Sequence, residues 1–344
     1  MQPLLNLTVA DIAQAIGAEV VGDGQVVIQG LGSLASAVPG QLSHLSSPSY
    51  KDQLPTTKAS AIILAASDVA ACPSNALVVE NPYLAFAKAS HLFNRTIELA
   101  SGTAASAEIA ADCEIDSSSA LGANVVIGRG TTIGPGVKIY ANTVVGENCR
   151  LAEDVVLHAN VTIYSNVSIG ARSVVHSGSV LGSAGFGWTP DAQGHLQEIA
   201  QLGGVEVGAD VSIGSCSAID CGAIDNTVIE DGVKIDNLVQ IGHNTHIGAH
   251  TVICGCVGIA GSSTIGKHCV LAGGAGIGGD KPVTVCDQVV VTARTVLTQN
   301  VTKPGVYSGT IVFHEHGKWR RNALRFFALD ELFKRVRKLE KDQA

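Results

Sequence analysis

An aliphatic residue recurs at every sixth position over most of the chain. The first run is unbroken and comprises Ile109, Ile115, Leu121, Ile127, Ile133, Ile139, Val145, Leu151, Leu157, Ile163, Ile169, Val175 and Leu181. A period of six fits neither the helical period of 3.6 nor the strand period of 2. It is typical of a hexapeptide β-helix, in which each hexad forms a short strand and three hexads form a triangular coil. The repeat therefore predicts a mainly β fold, a parallel β-helix with aliphatic residues along its axis.

The register also shows where the coils are irregular. The segment 182–204 lacks the repeat, and a loop of that length in a compact domain is usually functional. Regular positions then resume at Val207, Ile213, Ile219, Ile229, Ile235, Ile241, Ile247, Ile253, Ile259, Ile265, Leu271, Ile277, Val285, Val291 and Leu297. Within this series the repeat slips by four residues at 221–226 and by two at 279–282. The 28 regular positions predict about nine coils.

Composition agrees with a narrow core and excludes several classes of protein. The chain has 344 residues, 39 of them glycine, with 46% hydrophobic but only 4% aromatic residues. A net charge of −8 argues against a nucleic-acid-binding protein. No apolar run approaches the ~18 residues of a membrane span, and the first residues lack the basic region of a signal peptide, so we expect a cytoplasmic protein. Nine scattered cysteines without a CxxC motif favour small apolar fillers, including the close pair Cys254 and Cys256.

The two ends of the chain lack hexads and predict separate modules. Residues 1–100 predict a small α+β domain, with a helix that Thr8 caps and Gly17 ends, several strands, and a second helix from Pro82. A linker is expected at 101–108, at the start of a β-helix domain spanning 101–310. Residues 311–344 predict a helical tail; from Gly317 onwards it carries a charge of +5. Either it is a solvated terminal helix or it is a docking surface for an acidic partner.

Histidines near the later coils are the candidates for chemistry. His243, His246 and His250 have a spacing that would suit a metal on a helix, but here they fall on a β-coil and do not converge within one chain. A metal shared between chains, as in trimeric γ-class carbonic anhydrases, remains an alternative. His243 follows Asp236, which lies one hexad earlier, at an adjacent corner. A neutral imidazole can take a proton from an attacking amine or hydroxyl, so His243 is a candidate general base.

Six segments spread over nearly the whole chain carry a resemblance to a known family. They are Asn81-Pro-Tyr-Leu-Ala85, Asn160-Val-Thr-Ile-Tyr164, Gly185-Phe-Gly187, Gly232-Val-Lys-Ile-Asp-Asn237, Gln240-Ile-Gly-His-Asn244 and Pro304-Gly-Val-Tyr-Ser308. In this order, with an α+β start and a basic tail, they resemble the UDP-3-O-acylglucosamine N-acyltransferases of lipid A biosynthesis in Gram-negative bacteria.

The resemblance implies a homotrimer of left-handed parallel β-helices with active sites in clefts between chains. The family transfers a 3-hydroxyacyl chain from acyl carrier protein to the 2-amino group of UDP-3-O-acylglucosamine, without a metal or other cofactor. His243 then corresponds to the general base, Asp236 to its supporting carboxylate, and the N–H of Gly261 to the donor that holds the thioester oxyanion. The N-terminal domain would bind the uridine, and the basic tail would bind the acidic carrier protein.

The same resemblance assigns the binding residues, and several differ from the family pattern. His44, Ser47 and Tyr50 occupy the uracil segment, where the family usually has Phe, Asn and Tyr. Further substrate-binding residues are Asn237, Gln240 and Asn244, and the acyl groove is expected at Arg294 and Val296.

Two further departures lie close to the expected chemistry. Cys221 replaces a usual arginine, and the turn Gly279-Asp280-Lys281-Pro282 lacks the second active-site histidine of the family. Three hypotheses follow. The first is an active N-acyltransferase with a retuned acyl or nucleotide pocket. The second is a diverged paralogue with another acceptor or with lost activity, and the third is the γ-carbonic-anhydrase-like enzyme.

Overall fold

The hexad region folds as three parallel β-sheets wound around one axis. The computed structural model describes residues 7–94, 99–309 and 314–342, and the chain divides into two compact units, Met1–Glu98 and Leu99–Ala344. In the second unit each strand pairs in parallel with the strand one coil further on; Ile127, for example, lies opposite Val145. This confirms the parallel β-helix that the six-residue period predicts.

Each of the three sheets forms one face of the prism, and we number the faces in chain order. The strands of face 1 are Gly102–Thr103, Ala120–Leu121, Lys138–Ile139, Val156–Leu157, Val174–Val175, Ser212–Ile213, Lys234–Ile235, Val252–Ile253, Val270–Leu271, Val289–Val291 and Gly305–Tyr307. The strands of face 2 are Glu108–Ile109, Val126–Ile127, Val144–Val145, Thr162–Ile163, Val180–Ser183, Ala218–Asp220, Gln240–Ile241, Gly258–Ile259, Gly276–Ile277 and Val296–Leu297. The strands of face 3 are Glu114–Ile115, Thr132–Ile133, Arg150–Leu151, Val167–Ile169, Val205–Val207, Thr227–Ile229, His246–Ile247, Thr264–Ile265 and Thr284–Val285.

The β-helix is slightly longer than the hexads predict. Gly102–Thr103 already pairs with Ala120–Leu121, so part of the segment expected to be a linker is the first strand of face 1. Gly305–Tyr307 adds a strand at the other end, where no hexad continues the series. Thr103 and Tyr307 hold the inward positions of these two strands, so the aliphatic pattern does not reveal them, and Tyr307 packs against the core.

Two residues of each hexad form the core. The hexad aliphatics are buried in one continuous cluster; Ile109 and Ile115, in the first coils, are the partly buried members. The second inward position holds a small residue that is apolar or hydroxylated. Several of the hydroxylated residues donate to a backbone carbonyl of the next coil, as Thr131 does to Gly146 and Thr251 to Gly266, each at 2.8 Å. The Oγ of Ser263, at the same kind of position, is buried without a partner among the described residues. Every such hydroxyl that bonds in this way avoids the cost of an unpaired buried polar group.

All three interruptions of the repeat lie at one corner of the prism. Segment 182–204 joins face 2 to face 3, and so do the slips at 221–226 and 279–282. The first of these is not a structureless loop, because Trp188–Pro190 and Leu196–Glu198 pair as an antiparallel hairpin. We call this edge corner 2–3. The regular turn that carries His243 lies on the same edge, between Gln240–Ile241 and His246–Ile247.

The N-terminal unit is an α+β fold with its own core, as predicted. Helix α1 (Val9–Ile16) begins at Thr8 with a capping box and ends at Gly17, whose φ of 72° is left-handed. Helix α2 is Pro82–Leu92, and 3₁₀ helices span Pro48–Thr56 and Ala66–Ala71. The five-stranded sheet has the order Glu19–Val21, Asn75–Val78, Ala61–Leu64, Gln41–His44 and Gly30–Leu31, and a two-stranded sheet pairs Leu7–Thr8 with Val27–Ile28.

The basic tail forms two helices rather than one. Helix α3 is His316–Phe327 and helix α4 is Leu329–Asp342, with Ala328 between them. The apolar side chains expected to share a stripe are exposed; the described ones include Leu324, Leu332, Val336 and Leu339. Among the described residues, none of the helices combines the length and apolar character that crossing a membrane requires.

Candidate active site

Corner 2–3 carries a cleft of about 760 Å³ around His243. Four successive coils supply its walls, because the hairpin segment, the end of Ala218–Asp220, the His243 turn and the next turn stack on this edge. The lining residues are Ala184, Gly185, Phe186, Trp188, Glu198, Asp220, Gln240, Gly242, His243, Ile259, Ala260 and Gly261. The cleft thus combines one imidazole, two carboxylates and an apolar wall.

Asn244 fixes the proton of the His243 ring. The Asn244 Oδ1 accepts from the backbone N–H of Ala223 at 2.9 Å, and its Nδ2 donates to the carbonyl of Asp225 at 2.8 Å. The same Oδ1 lies 3.1 Å from His243 Nδ1, so Nδ1 must carry the proton and donate it. In the neutral ring Nε2 is then the unprotonated nitrogen. His243 is thus held in the tautomer that a general base needs.

Two glycines enclose the imidazole. A methyl group on Gly185 would lie 2.6 Å from the Cβ of His243, and one on Gly261 would lie 2.6 Å from Nε2. Carbon atoms do not approach so closely, so any side chain at either position would displace the ring. Gly185 belongs to the irregular segment and Gly261 to the next coil. Since Nε2, Cδ2 and Cε1 are almost equally distant from the Gly261 position, the face of the ring packs on the backbone of that coil.

The amide of Gly261 is left without a side-chain acceptor. At several corners the backbone N–H of the second residue after the core aliphatic donates a hydrogen bond. Its acceptor is the side chain of the equivalent residue in the next coil. Glu147 N–H bonds to Ser165 Oγ at 3.1 Å, and Lys267 N–H bonds to Asp287 Oδ1 at 2.7 Å. For Gly261 the residue in that place is Gly279, which has no side chain, and no acceptor for this N–H occurs among the described residues. A backbone donor without an acceptor therefore belongs to the residue that packs on the His243 ring.

Asp220 is a half-buried carboxylate one coil below the His243 turn. Its Oδ1 accepts from Ser183 Oγ and its Oδ2 from Gln240 Nε2, both at 3.0 Å. Burial raises the pKa of Asp220, and these hydrogen bonds together with the charge of His243 oppose the rise. Burial also raises the pKa of the neighbouring Cys221 thiol, which therefore stays neutral at pH 7.

Known proteins resemble this chain over nearly its full length. A relative from Hahella chejuensis named UDP-3-O-acylglucosamine N-acyltransferase is 50% identical, covering 98% of this chain and 96% of its own. Relatives of the same name from Pseudomonas aeruginosa and Coxiella burnetii are 48% and 43% identical, over 99% and 98% of this chain and 96% and 98% of their own. This chain belongs to the UDP-3-O-acylglucosamine N-acyltransferase family.

Family models match in the same regions. The model described as UDP-3-O-(3-hydroxymyristoyl) glucosamine N-acyltransferase, LpxD, matches residues 25–92. The bacterial transferase hexapeptide model matches residues 106–141, 124–158, 150–183 and 226–261. A solved structure of an Arabidopsis UDP-N-acetylglucosamine acyltransferase is 21% identical, covering 64% of this chain and 77% of its own with a TM-score of 0.48. Members of the N-acyltransferase family are enzymes, and the chain is an acyltransferase.

The structure brings together only some of the predicted catalytic residues. His243, Gly261 and Gln240 line one cleft, and Asn244 lies directly behind His243. Asp236 lies one corner earlier, between faces 1 and 2, where its Oδ1 accepts from its neighbour's N–H, that of Asn237, at 2.8 Å. Within this chain the carboxylate beside His243 is therefore Asp220. The supporting role of Asp236 stays a prediction.

The uracil-segment residues lie in the N-terminal unit. His44 ends the strand Gln41–His44 and stacks on Phe86, with ring centroids 3.8 Å apart. Its Nδ1 is buried without a hydrogen-bond partner among the described residues, and burial lowers the pKa of His44, so the ring is neutral. Ser47 caps the helix Pro48–Thr56, and Tyr50 is exposed. One face of the His44 ring is thus covered by Phe86, and the contacts of His44, Ser47 and Tyr50 with uracil stay predictions.

Face 2 carries a strip without side chains next to the predicted acyl groove. Gly258 and Gly276 occupy the outward positions of successive strands, and a methyl group on Gly258 would touch nothing within 4 Å. Val296 follows in the next strand with 61% of its surface exposed. A methyl group on Gly276 would touch the Val296 side chain. Arg294 lies in the turn before it, with a φ of 58°. The strip begins beside Gln240 and ends at Val296.

Sequence reasoning gave no role to Asp220, Gly185 or Ser183. Asp220 aligns with Gly242 because 22 residues separate them, which is one coil of 18 plus the slip of four. The sequence alone does not show this alignment, because it does not show that the four extra residues bulge out at the corner and leave Asp220 and Gly242 in register. Within the described ranges, no group of three or more His, Cys, Asp or Glu side chains is arranged to hold a metal ion.

Proposed function

We propose that the enzyme transfers a 3-hydroxyacyl chain from acyl carrier protein to the 2-amino group of UDP-3-O-acylglucosamine, in the cytoplasm, as a step of lipid A biosynthesis. The observation that carries the chemistry is the tautomer of His243: Asn244 holds the proton on Nδ1, so Nε2 is free to accept one in the cleft. The family name supplies the acceptor, and the thioester donor is part of the proposal.

The reaction needs a base, a hydrogen-bond donor that stabilises the oxyanion, and an acid. The acceptor nitrogen attacks the thioester carbonyl, forming the C–N bond while His243 Nε2 takes a proton from that nitrogen. The oxygen of the tetrahedral intermediate then carries the negative charge, and the N–H of Gly261 would bind it; the packing of Gly261 on the His243 ring supports this role. The C–S bond breaks, and the imidazolium returns its proton to the thiolate that leaves. No covalent enzyme intermediate is required.

The glycine strip of face 2 would receive the acyl chain. Alkyl chains bind where apolar surface is exposed and side chains leave room, and Gly258 and Gly276 provide such a lane. Val296 stands at its far end and would limit the length of the chain, with Arg294 at the rim. The N-terminal unit would hold the uridine, with His44, Ser47 and Tyr50 as the nucleobase contacts. Asp236, Asn237 and Gln240 would face the sugar.

We place two partners on the surface. The basic helices α3 and α4 would dock the acidic carrier protein, because their charge opposes that of the rest of the chain. The active form would be a homotrimer, with each cleft lying between two chains. Large apolar side chains exposed beside the cleft support this, among them Phe186, Leu202 and Ile224 with 86%, 74% and 80% of their surface accessible. Sedimentation equilibrium should give the mass of three chains; a monomer would contradict the trimer.

The proposal is tested by assaying N-acylated product. Purified enzyme is incubated with UDP-3-O-acylglucosamine and 3-hydroxyacyl carrier protein, and the product is identified by mass spectrometry. His243→Ala should lower kcat by about 10²–10⁴-fold, because a general base contributes that much. His176→Ala is the matched control, a histidine at another corner that stacks on His158. No product from the unmodified enzyme would overturn the proposed reaction, and full activity of His243→Ala would overturn the role of the base.

A further inference from the structure

A half-buried carboxylate that the proposed mechanism does not use lies in the same cleft. Asp220 ends the strand Ala218–Asp220, and the next coil places Gly242 and His243 above it. Both of its oxygens are occupied, one by Ser183 Oγ and one by Gln240 Nε2, each at 3.0 Å. Ser183 belongs to the segment where the repeat breaks, and Gln240 lines the cleft. The carboxylate is therefore held rigidly from two coils.

Its burial is unfavourable and is not explained by the fold. A charged group in a partly desolvated site costs stability unless it is paired. Among the described residues the groups that act on Asp220 are Ser183, Gln240 and His243, and none of them is a lysine or an arginine. The other groups facing the cleft do not replace it. Cys221 carries a thiol that burial keeps neutral, and Glu198 lies on the exposed hairpin. The positive charge that can form beside Asp220 is that of His243 itself.

We propose that Asp220 is a positioning residue for acyl transfer: it holds negative charge beside the imidazolium that forms at His243, and it orients Gln240 towards the acceptor. The inference rests on the proposed function, because it assumes that His243 gains a proton during the reaction. A fixed carboxylate in a site that excludes part of the solvent stabilises that charge more than water would. Since Gln240 Nε2 donates to Asp220, Gln240 Oε1 is left to accept from the substrate.

The test is the variant Asp220→Asn, which removes the charge and can keep the geometry. Asparagine can accept from Gln240 Nε2 with Oδ1 and donate to Ser183 Oγ with Nδ2, because a hydroxyl can reverse its role. We expect kcat to fall by about tenfold with little change in KM for the sugar. The acidic limb of the kcat/KM profile should move to lower pH by about 0.5–1 unit, because a nearby negative charge that favours the protonated imidazole is lost.

Two variants separate charge from structure. Asp220→Glu keeps the charge and should leave the acidic limb near its original pH, even if a longer side chain lowers kcat. Glu147→Gln is the matched control, an acidic residue at the position of His243 in an earlier coil of corner 2–3 and outside the cleft. It should change neither kcat nor the pH profile.

The outcomes for Asp220 and for the proposed function are distinguishable. If His243→Ala is inactive but Asp220→Asn has an unaltered pH profile and kcat, the inference is wrong and the proposed function stands. If the unmodified enzyme makes no N-acylated product, both are overturned. A drop in activity of Asp220→Asn that Asp220→Glu shares, without a shift of the acidic limb in Asp220→Asn, would show a packing role and also overturn the inference.

Discussion

At the scale of single residues, the tautomer of the His243 ring depends on the side-chain amide of the next residue, Asn244. Asn244 has a φ of 56°, a conformation that asparagine and glycine adopt with little strain, and its side chain bonds to Ala223, Asp225 and His243. The sequence predicts Asn244 as a substrate-binding residue. The geometry instead directs its amide into the protein, where it sets the tautomer of His243.

Replacing Asn244 distinguishes a role in substrate binding from a role in setting the tautomer of His243. Asn244→Gly keeps the left-handed backbone and removes the side chain, so we expect kcat to fall by about 10–100-fold, as for other residues that orient a functional imidazole, with KM for the sugar little changed. Steady-state kinetics with the carrier-protein thioester measure both constants. Asn148→Gly, with a φ of 56° at an earlier turn of the same corner, is the control and should be fully active. A raised KM with normal kcat would favour substrate binding.

At the scale of elements, the regular hexads supply the scaffold and face 2 supplies a strip of glycines. Face 2 is ordinary where its outward residues are valine and threonine, as in Val126–Ile127 and Thr162–Ile163. It becomes a smooth strip where two successive outward positions are glycine, and Val296 closes that strip. Chain-length selection should therefore depend on the residue at 296 more than on any residue of the core.

We expect Val296→Phe to shift the preference of the enzyme to shorter 3-hydroxyacyl chains. The larger ring would shorten the open strip, so rejection of the longest accepted chain by about tenfold is expected, since each buried methylene contributes ~0.8 kcal/mol. Competition between carrier-protein thioesters of different length measures the ratio. Val252→Phe, at an outward position of face 1, is the control and should leave the ratio unchanged. An unchanged ratio in Val296→Phe would place the acyl chain elsewhere.

At the scale of the whole molecule, charge is unevenly distributed. The 28 residues from Gly317 carry +5, while the chain as a whole carries −8. The net charge of the remainder is therefore strongly negative, and an acidic carrier protein would be repelled by the β-helix surface and attracted by helices α3 and α4. The sequence leaves two interpretations of the tail open, a solvated helix and a docking surface. They predict different effects of its charge on binding of the carrier protein.

Charge reversal in helix α4 distinguishes them. Arg335→Glu with Lys338→Glu should raise KM for the carrier-protein thioester by about tenfold or more, because two attractive pairs become repulsive, and should leave KM for the sugar unchanged. The difference should shrink as ionic strength rises. Arg129→Glu with Lys303→Glu, two exposed residues of the β-helix, is the control. Equal kinetics in both double variants would favour a solvated helix.

The sequence by itself determined the architecture and singled out His243 as the candidate base. Burial of an aliphatic residue in every hexad is a local requirement with a fixed period, so the β-helix, its core and the turn that carries His243 can be read along the chain. What only the tertiary structure decided is which corners coincide. The irregular segment, both slips and the His243 turn lie on one edge. Asp220 aligns with Gly242, 22 residues further on, because a slip of four lengthens one coil, and this brings Asp220 next to His243. Which residues stack on each other depends on the length of every insertion that precedes them. The tautomer set by Asn244 depends in turn on hydrogen bonds across the same coils. Neither can be read from the residues one hexad at a time.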